Sequence, residues 1–422
     1  MNRVLVVPSG TEVAQEIVRS LSVVKGVELF GANGIDCFTE IPRARHIVGI
    51  PFIDEPDFID VITSLVKENG ITHIFPAHDS ASLKLTEFAD LLGAQVISSS
   101  YETNKVCRSK SLTYKALEKV VKVPKTYHSK NEVESFPVFV KPNIGQGSVG
   151  TKLITNETEL LDVTEDDILC EYLPGEEFTV DCISDADNQL QYAQARKRNA
   201  MRNGIATETE LVNDNSLFYS FAEKINKSLK LQGAWFFQVK KDLLGELCLL
   251  EVATRIAGSM ITSRMNGINF AEMSLFISNG IPVKALKNNL EIKLFRNLAY
   301  QFDINLNFNV LYTDFDDCLI FGDKVNDKLV QFIFQCINKN IEVVLITRHA
   351  NDIHQTLQNM RLSQLFDQVI HITDGTPKSQ FITETNAIFI DDSFAERLDV
   401  MEVCNIPCFS VDMVQGLTCL KN

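Results

Sequence analysis

The alternation of short β-branched runs with helical stretches constrains the fold most, and it occurs at both ends of the chain. Such alternation is typical of parallel sheets covered by helices. The predicted strands near the N-terminus are Val4–Val7, Val27–Phe30, His73–Pro76 and Gln95–Ile97, and those near the C-terminus are Val310–Thr313, Val343–Thr347, Ala387–Ile390 and Cys408–Val411. We therefore expect an α/β multidomain protein.

The middle of the chain follows another pattern. A helix at Ser111–Val121 ends before Pro124, and strands separated by glycine-containing loops follow it, which predicts a mixed α+β region. The predicted domains are a βαβ domain at 1–104, an α+β domain at 105–295, a linker at 296–308 and a second βαβ domain at 309–422.

Composition excludes several classes of protein. Of the 422 residues, 45% are hydrophobic and 23% are charged, as in ordinary folded domains. The net charge of −15 argues against a nucleic-acid partner, and no apolar run approaches the ~20 residues that span a bilayer. No CxxC pair suggests zinc. We expect a cytoplasmic protein with no membrane or nucleic-acid partner.

Acidic residues concentrate in the last quarter of the chain. From Asn307 onward there are 16 Asp and Glu residues and only 8 Lys and Arg residues. Asp314 and Asp316 directly follow a predicted strand, so one carboxylate can attack phosphorus while the other handles the leaving-group proton. Three further polar positions, Thr347, Lys378 and the pair Asp391-Asp392, lie at or near the ends of later strands. Ligand sites of parallel sheets form at those ends.

These motifs, in this order, resemble the haloacid-dehalogenase-like (HAD) phosphohydrolases over about 310–415. The resemblance implies a Rossmann-like domain in which Asp314 is the nucleophile and Asp316 the general acid/base. It further implies that Thr347 and Lys378 hold the phosphoryl oxygens. Mg²⁺ would be bound by Asp314, the Asp316 carbonyl, Asp391 and Asp392.

The short intervals between these motifs leave no room for a large cap domain, because 33 residues lead from Asp314 to Thr347 and 31 from Thr347 to Lys378. Cys318 stands where the family more often has Thr or Val. Dehalogenation of a haloalkane is the weaker alternative. A halide leaving group needs no general acid, whereas Asp316 is placed to protonate an alkoxide leaving group.

A second group of motifs lies in the middle region. The strand Val138–Lys141 leads into a loop with Gly145, Gly147, Ser148 and Gly150, whose backbone N–H groups can bind phosphate oxygens. Two strands joined by a turn follow at 168–183. The neighbouring strands at 235–240 and 247–253 each direct a metal-competent oxygen to the same side, from Gln238 and Glu251.

Together these features resemble the ATP-grasp superfamily, in the branch of carbamoyl-phosphate synthetase and biotin carboxylase, over about 1–290. The resemblance implies that 1–104 is the pre-ATP-grasp domain and that ATP and Mg²⁺ are cofactors, with Mn²⁺ as an alternative metal. The implied site comprises Lys110, Lys141, Gly145, Gly147 and Ser148 on the phosphates, Glu171 and Leu173 at the adenine, Glu177 near the ribose, Gln238 and Glu251 on the metal, and Arg255 on the acyl phosphate or carboxylate.

One position departs from that family. The usual Glu-x-Asn-x-Arg is here Glu251-Val-Ala253-Thr-Arg255, and alanine offers no metal ligand. Two interpretations stay open elsewhere. The first concerns three arginines, which either supply positive charge to the phosphates or the substrate, or form an exposed basic helix or loop: Arg196, Arg198 and Arg202. The second concerns His78-Asp79, which either contacts the substrate or provides, through Asp79, the cap of the helix that follows.

We therefore expect a bifunctional enzyme. One reaction is ATP-dependent carboxylate–amine ligation through an acyl phosphate, and the other is phosphomonoester hydrolysis through an aspartyl phosphate, as successive steps on one small molecule. The expected partners are small-molecule carboxylate, amine and phosphomonoester substrates, and a homodimer is one expected assembly. Two alternatives remain: an ATP-grasp kinase, or a non-catalytic nucleotide sensor that regulates the phosphatase. The loops of the first domain and those around Met201–Glu210 are expected to set specificity.

Overall fold

The computed structural model describes residues 1–145, 147–202, 204–297, 302 and 304–418. The chain divides into two compact units, Met1–Asn297 and Leu298–Asn422, here called the front and rear units. The ranges 1–104 and 105–295 both fall within the front unit. Over the described residues, no helix combines the length and the apolar character that a membrane span requires.

The front unit begins with a five-stranded parallel sheet in the order β3-β2-β1-β4-β5. β1 is paired with β2 and β4 and is fully buried over Val4–Val7, as the run of β-branched residues predicts. The elements are β1 Asn2–Val7, α1 Glu12–Leu21, β2 Val27–Asn33, β3 His46–Val48, α2 Phe58–Asn69, β4 His73–Pro76, α3 Asp79–Glu87, α4 Ala89–Leu92, β5 Gln95–Val96 and α5 Tyr101–Arg108.

A four-stranded antiparallel sheet follows, in the order β6-β9-β7-β8. Val138 and Val140 point from the central β7 into a small apolar core with Leu169. Because successive side chains of a strand point to opposite faces, Lys141 lies on the face opposite Val138 and Val140. It is at the strand end that leads into the glycine loop. The elements are α6 Lys110–Leu117, β6 Thr126–Tyr127, β7 Val138–Pro142, β8 Lys152–Ile154 and β9 Asp167–Glu171.

The third sheet of the front unit has six antiparallel strands in the order β14-β13-β10-β11-β12-β15. Trp235 is fully buried in its core and donates its indole N–H to Ser184 Oγ at 2.9 Å. The elements are β10 Glu177–Ser184, β11 Leu190–Arg202, β12 Ile205–Leu211, α7 Ser216–Leu229, β13 Gly233–Lys241, β14 Leu247–Ala253, α8 Ile261–Met265, α9 Phe270–Ser278 and β15 Lys293–Phe295.

Two expectations about this unit are wrong. The basic run from Arg196 to Arg202 is neither a helix nor a loop but the second half of β11, and 201–210 is mostly strand because β11 and β12 pair as a hairpin. The alternative that Asp79 caps the next helix is also wrong, because His78 is the N-cap of α3 and Asp79 is its first residue.

The rear unit contains a second parallel sheet of five strands, in the order β20-β19-β16-β21-β22. β16 is buried at every position and lies between β19 and β21. β20 lies in the interval between Thr347 and Lys378. The elements are β16 Val310–Thr313, β17 Ile320–Phe321, β18 Lys324–Val325, α10 Asp327–Asn338, β19 Glu342–Thr347, α11 Ile353–Asn359, β20 Gln368–His371, β21 Ala387–Ile390, α12 Phe394–Cys404, β22 Cys408–Phe409 and α13 Val414–Leu417.

Candidate functional sites in the front and rear units

A cleft of about 860 Å³, open to solvent, lies in the front unit between the four-stranded and six-stranded sheets. Ten of the eleven positions predicted for this unit line it. They are Lys110, Lys141, Gly145, Gly147, Ser148, Glu171, Leu173, Glu177, Gln238 and Glu251. The eleventh, Arg255, is not part of this lining; its guanidinium donates to Asp79 Oδ2 at 2.7 Å.

Two lysines supply positive charge to the cleft without a carboxylate partner among the described residues. Lys141 is buried, and its Nζ donates to the hydroxyl of Tyr114 at 2.5 Å. Lys110 Nζ donates to the Gly145 carbonyl at 3.3 Å. Burial lowers the pKa of Lys110, against the opposing influence of Glu251. Cations that lack an internal counter-ion are suited to bind an anionic ligand.

Gln238 and Glu251 face each other across β13 and β14, where their Cα atoms are direct partners. Burial raises the pKa of Glu251, although Lys110, Arg255 and Lys141 oppose that shift. Gln238 Oε1 accepts a hydrogen bond from Arg198 at 3.0 Å. One carboxylate and one amide oxygen on a shared face are ligands that suit Mg²⁺, so these residues fit a metal. Ala253 is buried on the same strand and adds no oxygen.

Glu171 and Glu177 are already engaged within the fold. The Glu171 carboxylate accepts the Lys125 backbone N–H at 2.8 Å, and Glu177 pairs with Arg198 at 2.5 Å. At the position predicted for the adenine, the Glu171 carboxylate is therefore already hydrogen-bonded within the chain.

The glycine loop is approached closely by the turn between β11 and β12. A Cβ at Gly204, whose φ is +75°, would lie 2.0 Å from the Gly147 carbonyl oxygen. Only glycine fits there, for both its φ and its lack of a side chain. Arg198 Nη2 donates to the Gly204 carbonyl at 2.7 Å and so ties this turn to the cleft wall.

The three arginines of β11 differ in environment. Arg196 forms a buried pair with Asp181, Nε to Oδ2 at 2.9 Å, and Arg198 lines the cleft, whereas Arg202 is exposed. The contacts of Arg198 with Glu177 and Gln238 were not predicted, because the three residues lie on three different strands. Alternation along a strand, with Arg196 and Arg198 on one face, is the signal that could have indicated them.

In the rear unit, two buried carboxylates share one lysine. Lys378 Nζ lies 2.9 Å from Asp314 Oδ1 and 2.6 Å from Asp391 Oδ2. Burial raises the pKa of Asp314 to about 6, with Lys378 opposing and Asp391 reinforcing the shift. Burial also raises the pKa of Asp391. For Lys378, burial lowers the pKa, but the two carboxylates outweigh it and the net shift is upward.

Asp316 lies apart from that triad, with its side chain 46% exposed. Both of its oxygens are 3.0 Å from His349 Nδ1, and His349 Nε2 lies 3.1 Å from Thr356 Oγ1. Thr347 is fully buried, and its hydroxyl accepts the His349 backbone N–H at 3.1 Å. His349 was missed by the sequence analysis, although its position two residues after Thr347 places it at the same strand end.

A candidate cation site lies beside the triad. Asp314, Cys318 and Asp392 each offer a ligand atom, all within 4.8 Å of one another. The buried Cys318 Sγ also accepts the Asp392 backbone N–H at 3.0 Å. Two carboxylates of this group fit Mg²⁺ by chemistry, whereas a thiol does not favour that hard cation. Asp391, predicted as a ligand, is directed to Lys378 and to the Ser393 N–H, at 2.8 Å.

Comparison with known proteins bears on the front unit. Residues 164–300 match the family model described as ATP-grasp in the biosynthetic pathway with Ter operon. No curated protein matches the chain. Among solved structures, the biotin carboxylase domain of Hydrogenobacter thermophilus 2-oxoglutarate carboxylase, in complex with MgADP, ADP and bicarbonate, aligns with a TM-score of 0.58 and 16% identity. The match covers 69% of this chain and 72% of that one.

Two further structures align similarly. The L-amino acid ligase from Bacillus licheniformis has a TM-score of 0.56 at 17% identity and covers 67% of this chain and 75% of its own. N5-carboxyaminoimidazole synthetase from Staphylococcus aureus, complexed with ADP, has a TM-score of 0.56 at 16% identity, over 67% and 78%. The front unit of this chain therefore has an ATP-grasp fold.

Proposed function

We propose that the front unit is an ATP-dependent ligase that joins a carboxylate to an amine. In this reaction a carboxylate oxygen attacks the γ-phosphorus of ATP and ADP leaves; the amine then attacks the acyl carbon and phosphate leaves. The observation that carries the proposal is the gathering of Lys110, Lys141, Gln238 and Glu251 in one cleft. ADP in two of the similar structures supports ATP and Mg²⁺ as cofactors.

The chain's own residues divide the work as follows. Lys110 and Lys141, with the backbone of the glycine loop, bind the phosphates and neutralise charge as it develops on them. Main-chain groups around Leu173 and Glu171 bind the adenine, and Glu177 lies toward the ribose. Gln238 and Glu251 would hold Mg²⁺, which would neutralise negative charge on the phosphates. The role of Arg255 toward the acyl phosphate stays a prediction.

Glu251→Gln tests the ligase proposal, because it keeps the shape of the side chain and removes the metal-binding charge. With a mixture of small carboxylates and amines, Mg²⁺ and ATP, we expect ADP release to fall by about 10²–10³-fold. Glu246→Gln, on the exposed turn before the same strand, is the matched control and should leave the rate unchanged. Equal ADP release by wild type and Glu251→Gln would contradict the proposal.

The same assay separates the two alternatives. A kinase would form ADP and a phosphorylated product without any amine. A nucleotide sensor would form no ADP under any condition, yet a non-hydrolysable ATP analogue would change a phosphatase rate. Ala253 favours the sensor, because the metal site lacks the usual oxygen there.

For the rear unit we propose HAD-type hydrolysis of a phosphomonoester. Asp314 attacks phosphorus and forms an aspartyl phosphate while Asp316 protonates the leaving alkoxide; Asp316 then takes a proton from the water that releases phosphate. Lys378 and Thr347 hold phosphoryl oxygens. Asp314 and Asp392, with the Asp316 carbonyl, would hold Mg²⁺, which would neutralise charge on the phosphate; Asp391 instead contacts Lys378 and the Ser393 N–H. The support is the Asp314–Lys378–Asp391 triad at the carboxyl ends of parallel strands.

Asp314→Asn tests this second proposal. Loss of the nucleophile should lower hydrolysis of generic phosphomonoesters by more than about 10⁴-fold. Asp317→Asn makes the same change at an exposed neighbour with φ +53°, a conformation that Asn tolerates, and should leave the rate unchanged. Absence of Mg²⁺-dependent hydrolysis in wild type, across a broad panel of phosphomonoesters, would count against the proposal.

We further propose that the two reactions act in series, with the phosphatase trimming a phosphorylated ligation product. Mass spectrometry of a metabolite extract incubated with ATP and Mg²⁺ tests this. Asp314→Asn should accumulate a conjugate one phosphoryl group heavier than the wild-type product. An identical product from both proteins would show that the two sites are independent.

A further inference from the structure

His349, in the rear unit, is held by its neighbours at both its backbone and its ring. Its backbone N–H donates to Thr347 Oγ1 at 3.1 Å, and its carbonyl accepts a hydrogen bond from His371 Nε2 at 2.7 Å. The imidazole meets the Phe315 ring edge to face, with centroids 5.0 Å apart and an interplanar angle of 76°. The ring therefore has a fixed place beside the residue that follows the candidate nucleophile, Asp314.

One nitrogen of this ring is anchored to α11. His349 Nε2 lies 3.1 Å from Thr356 Oγ1, and that hydroxyl donates its one hydrogen to the Asp352 carbonyl at 2.9 Å. Because the hydroxyl hydrogen is committed to Asp352, Thr356 Oγ1 accepts from His349 and Nε2 is the donor. The hydrogen-bond network thus assigns a hydrogen to Nε2 and leaves Nδ1 to face the other way.

The second nitrogen, Nδ1, faces the carboxyl group of Asp316 and lies 3.0 Å from each of its two oxygens. A bare nitrogen lone pair would be repelled by a carboxylate at this distance, so a proton lies between the imidazole and the carboxyl group. The Asp316 side chain is 46% exposed, and no other described residue hydrogen-bonds to it. The orientation of this carboxyl group therefore depends on His349.

We propose that His349 is a positioning residue of the rear site, which holds the Asp316 carboxyl group in the orientation from which it protonates the leaving alkoxide. This inference rests on the proposed phosphatase function and adds to it a residue that acts through Asp316. A half-exposed carboxyl group that rotates freely would spend part of its time turned away from the ester oxygen. Holding it in one orientation lowers the barrier of the step that it catalyses.

The proton balance of the first step shows what His349 contributes. As an Asp314 oxygen bonds to phosphorus, the bond between phosphorus and the ester oxygen breaks and its electron pair stays on that oxygen. The proton between His349 Nδ1 and Asp316 passes to this alkoxide, so an alcohol leaves, and a neutral imidazole and a carboxylate remain. The carboxylate then takes a proton from the water that hydrolyses the aspartyl phosphate, which restores the starting pair.

Leaving groups of different basicity test the proposal in the full chain with Mg²⁺. p-Nitrophenyl phosphate releases a weakly basic phenolate that needs little help from an acid, whereas benzyl phosphate, of similar shape, releases a strongly basic alkoxide. His349→Phe keeps an aromatic ring against Phe315 and removes the hydrogen bond to Asp316. We expect kcat/KM for benzyl phosphate to fall about 10- to 100-fold and that for p-nitrophenyl phosphate to stay within about threefold.

Further variants separate the hydrogen bond from the packing. His349→Asn places an amide N–H near the position of Nδ1 and should recover part of the rate with benzyl phosphate. In an Asp316→Asn background, His349→Phe should lower kcat/KM no further, because the two residues act on one proton. His354→Ala, at an exposed position of α11, is the matched control and should leave both rates unchanged.

The possible failures are distinguishable. If wild type hydrolyses neither ester, the phosphatase proposal fails and this inference falls with it. If wild type hydrolyses both esters and His349→Phe lowers both rates equally, His349 only supports the packing at Phe315, and the present inference alone is overturned. A faster reaction of benzyl phosphate in His349→Phe would also overturn it, because His349 would then hold Asp316 away from the ester. Hydrolysis of p-nitrophenyl phosphate alone by wild type would mean that no acid protonates the leaving group, with the same consequence.

Discussion

The two candidate sites carry opposite charge. In the front cleft, the hydrogen-bond partners of Lys110 and Lys141 among the described residues are neutral, a carbonyl and a phenol. In the rear site, Asp314 and Asp391 crowd around the single cation of Lys378. Each site thus presents the charge complementary to its proposed first ligand, a polyphosphate in front and a divalent cation in the rear.

The same difference predicts how strongly each site is destabilised when its lysine is removed. A buried carboxylate left without its cation is strongly unfavourable, whereas a phenol left without its lysine is a neutral group. The lysines of the two sites should therefore respond differently to the same substitution, and this can be measured.

Lys378→Met should have the largest effect. It leaves Asp314 and Asp391 together without a cation, so we expect the metal-free rear unit to lose about 3–5 kcal/mol in its free energy of unfolding. Saturating Mg²⁺ should recover part of this loss. Hydrogen exchange of peptides within 310–321 and 342–347 reports on this unit. Lys339→Met, at an exposed position, is the control; unchanged exchange in Lys378→Met would break the comparison.

Lys141→Met should reduce activity far more than stability. We expect kcat/KM for ADP release to fall by about 10²–10³-fold because a charge on the phosphates is lost. The free energy of unfolding should change by only about 0.5–1.5 kcal/mol, because Tyr114 loses one hydrogen bond. Trp235, the one tryptophan of the chain, reports front-unit unfolding by fluorescence. Lys152→Met, exposed on β8, is the control and should affect neither quantity. If Lys141→Met destabilised the front unit as much as Lys378→Met destabilises the rear unit, the comparison would be contradicted.

The pH dependence of stability should give the smallest effect. The pKa of Asp314 is raised to about 6, so the folded rear unit binds more protons than the unfolded chain between about pH 4 and pH 6. The free energy of unfolding of the metal-free unit should therefore fall as pH rises through that window, by about 2–3 kcal/mol from this group. Urea titrations at pH 4.5 and 7 that follow rear-unit exchange measure it. Asp314→Asn should flatten the dependence; an unchanged slope would mean that Asp314 is not the group responsible.

The local pattern predicted strands better than it predicted contacts. The strands His73–Pro76 and Leu247–Ala253 lie where the sequence placed them, because a run of apolar residues bounded by turn residues has few alternatives. β11 was missed because its second half reads as a basic surface, although Asp181 and Glu177 of β10 neutralise two of its arginines. Those partners are distant in sequence.

The candidate sites show the same limit. Short-range spacing identified Asp314 and Asp316, but not His349, whose contact with Asp316 depends on β16 and β19 lying side by side. In the front unit the sequence singled out Glu177 and Gln238, but their contacts with Arg198 depend on β10 lying between β11 and β13.

By itself, the sequence determined the α/β class, the strands of both parallel sheets that carry long β-branched runs, and the chemical character of both motif groups. These depend on residue type and on spacing within a few turns or a single strand, where side-chain periodicity is fixed by backbone geometry. Only the tertiary structure decided which charges have partners: Arg196 neutralised by Asp181, Lys110 and Lys141 without an ion pair among the described residues, and two aspartates on one lysine. The physical reason is that electrostatic energy depends on distance and burial between groups far apart in the chain, and packing alone sets both.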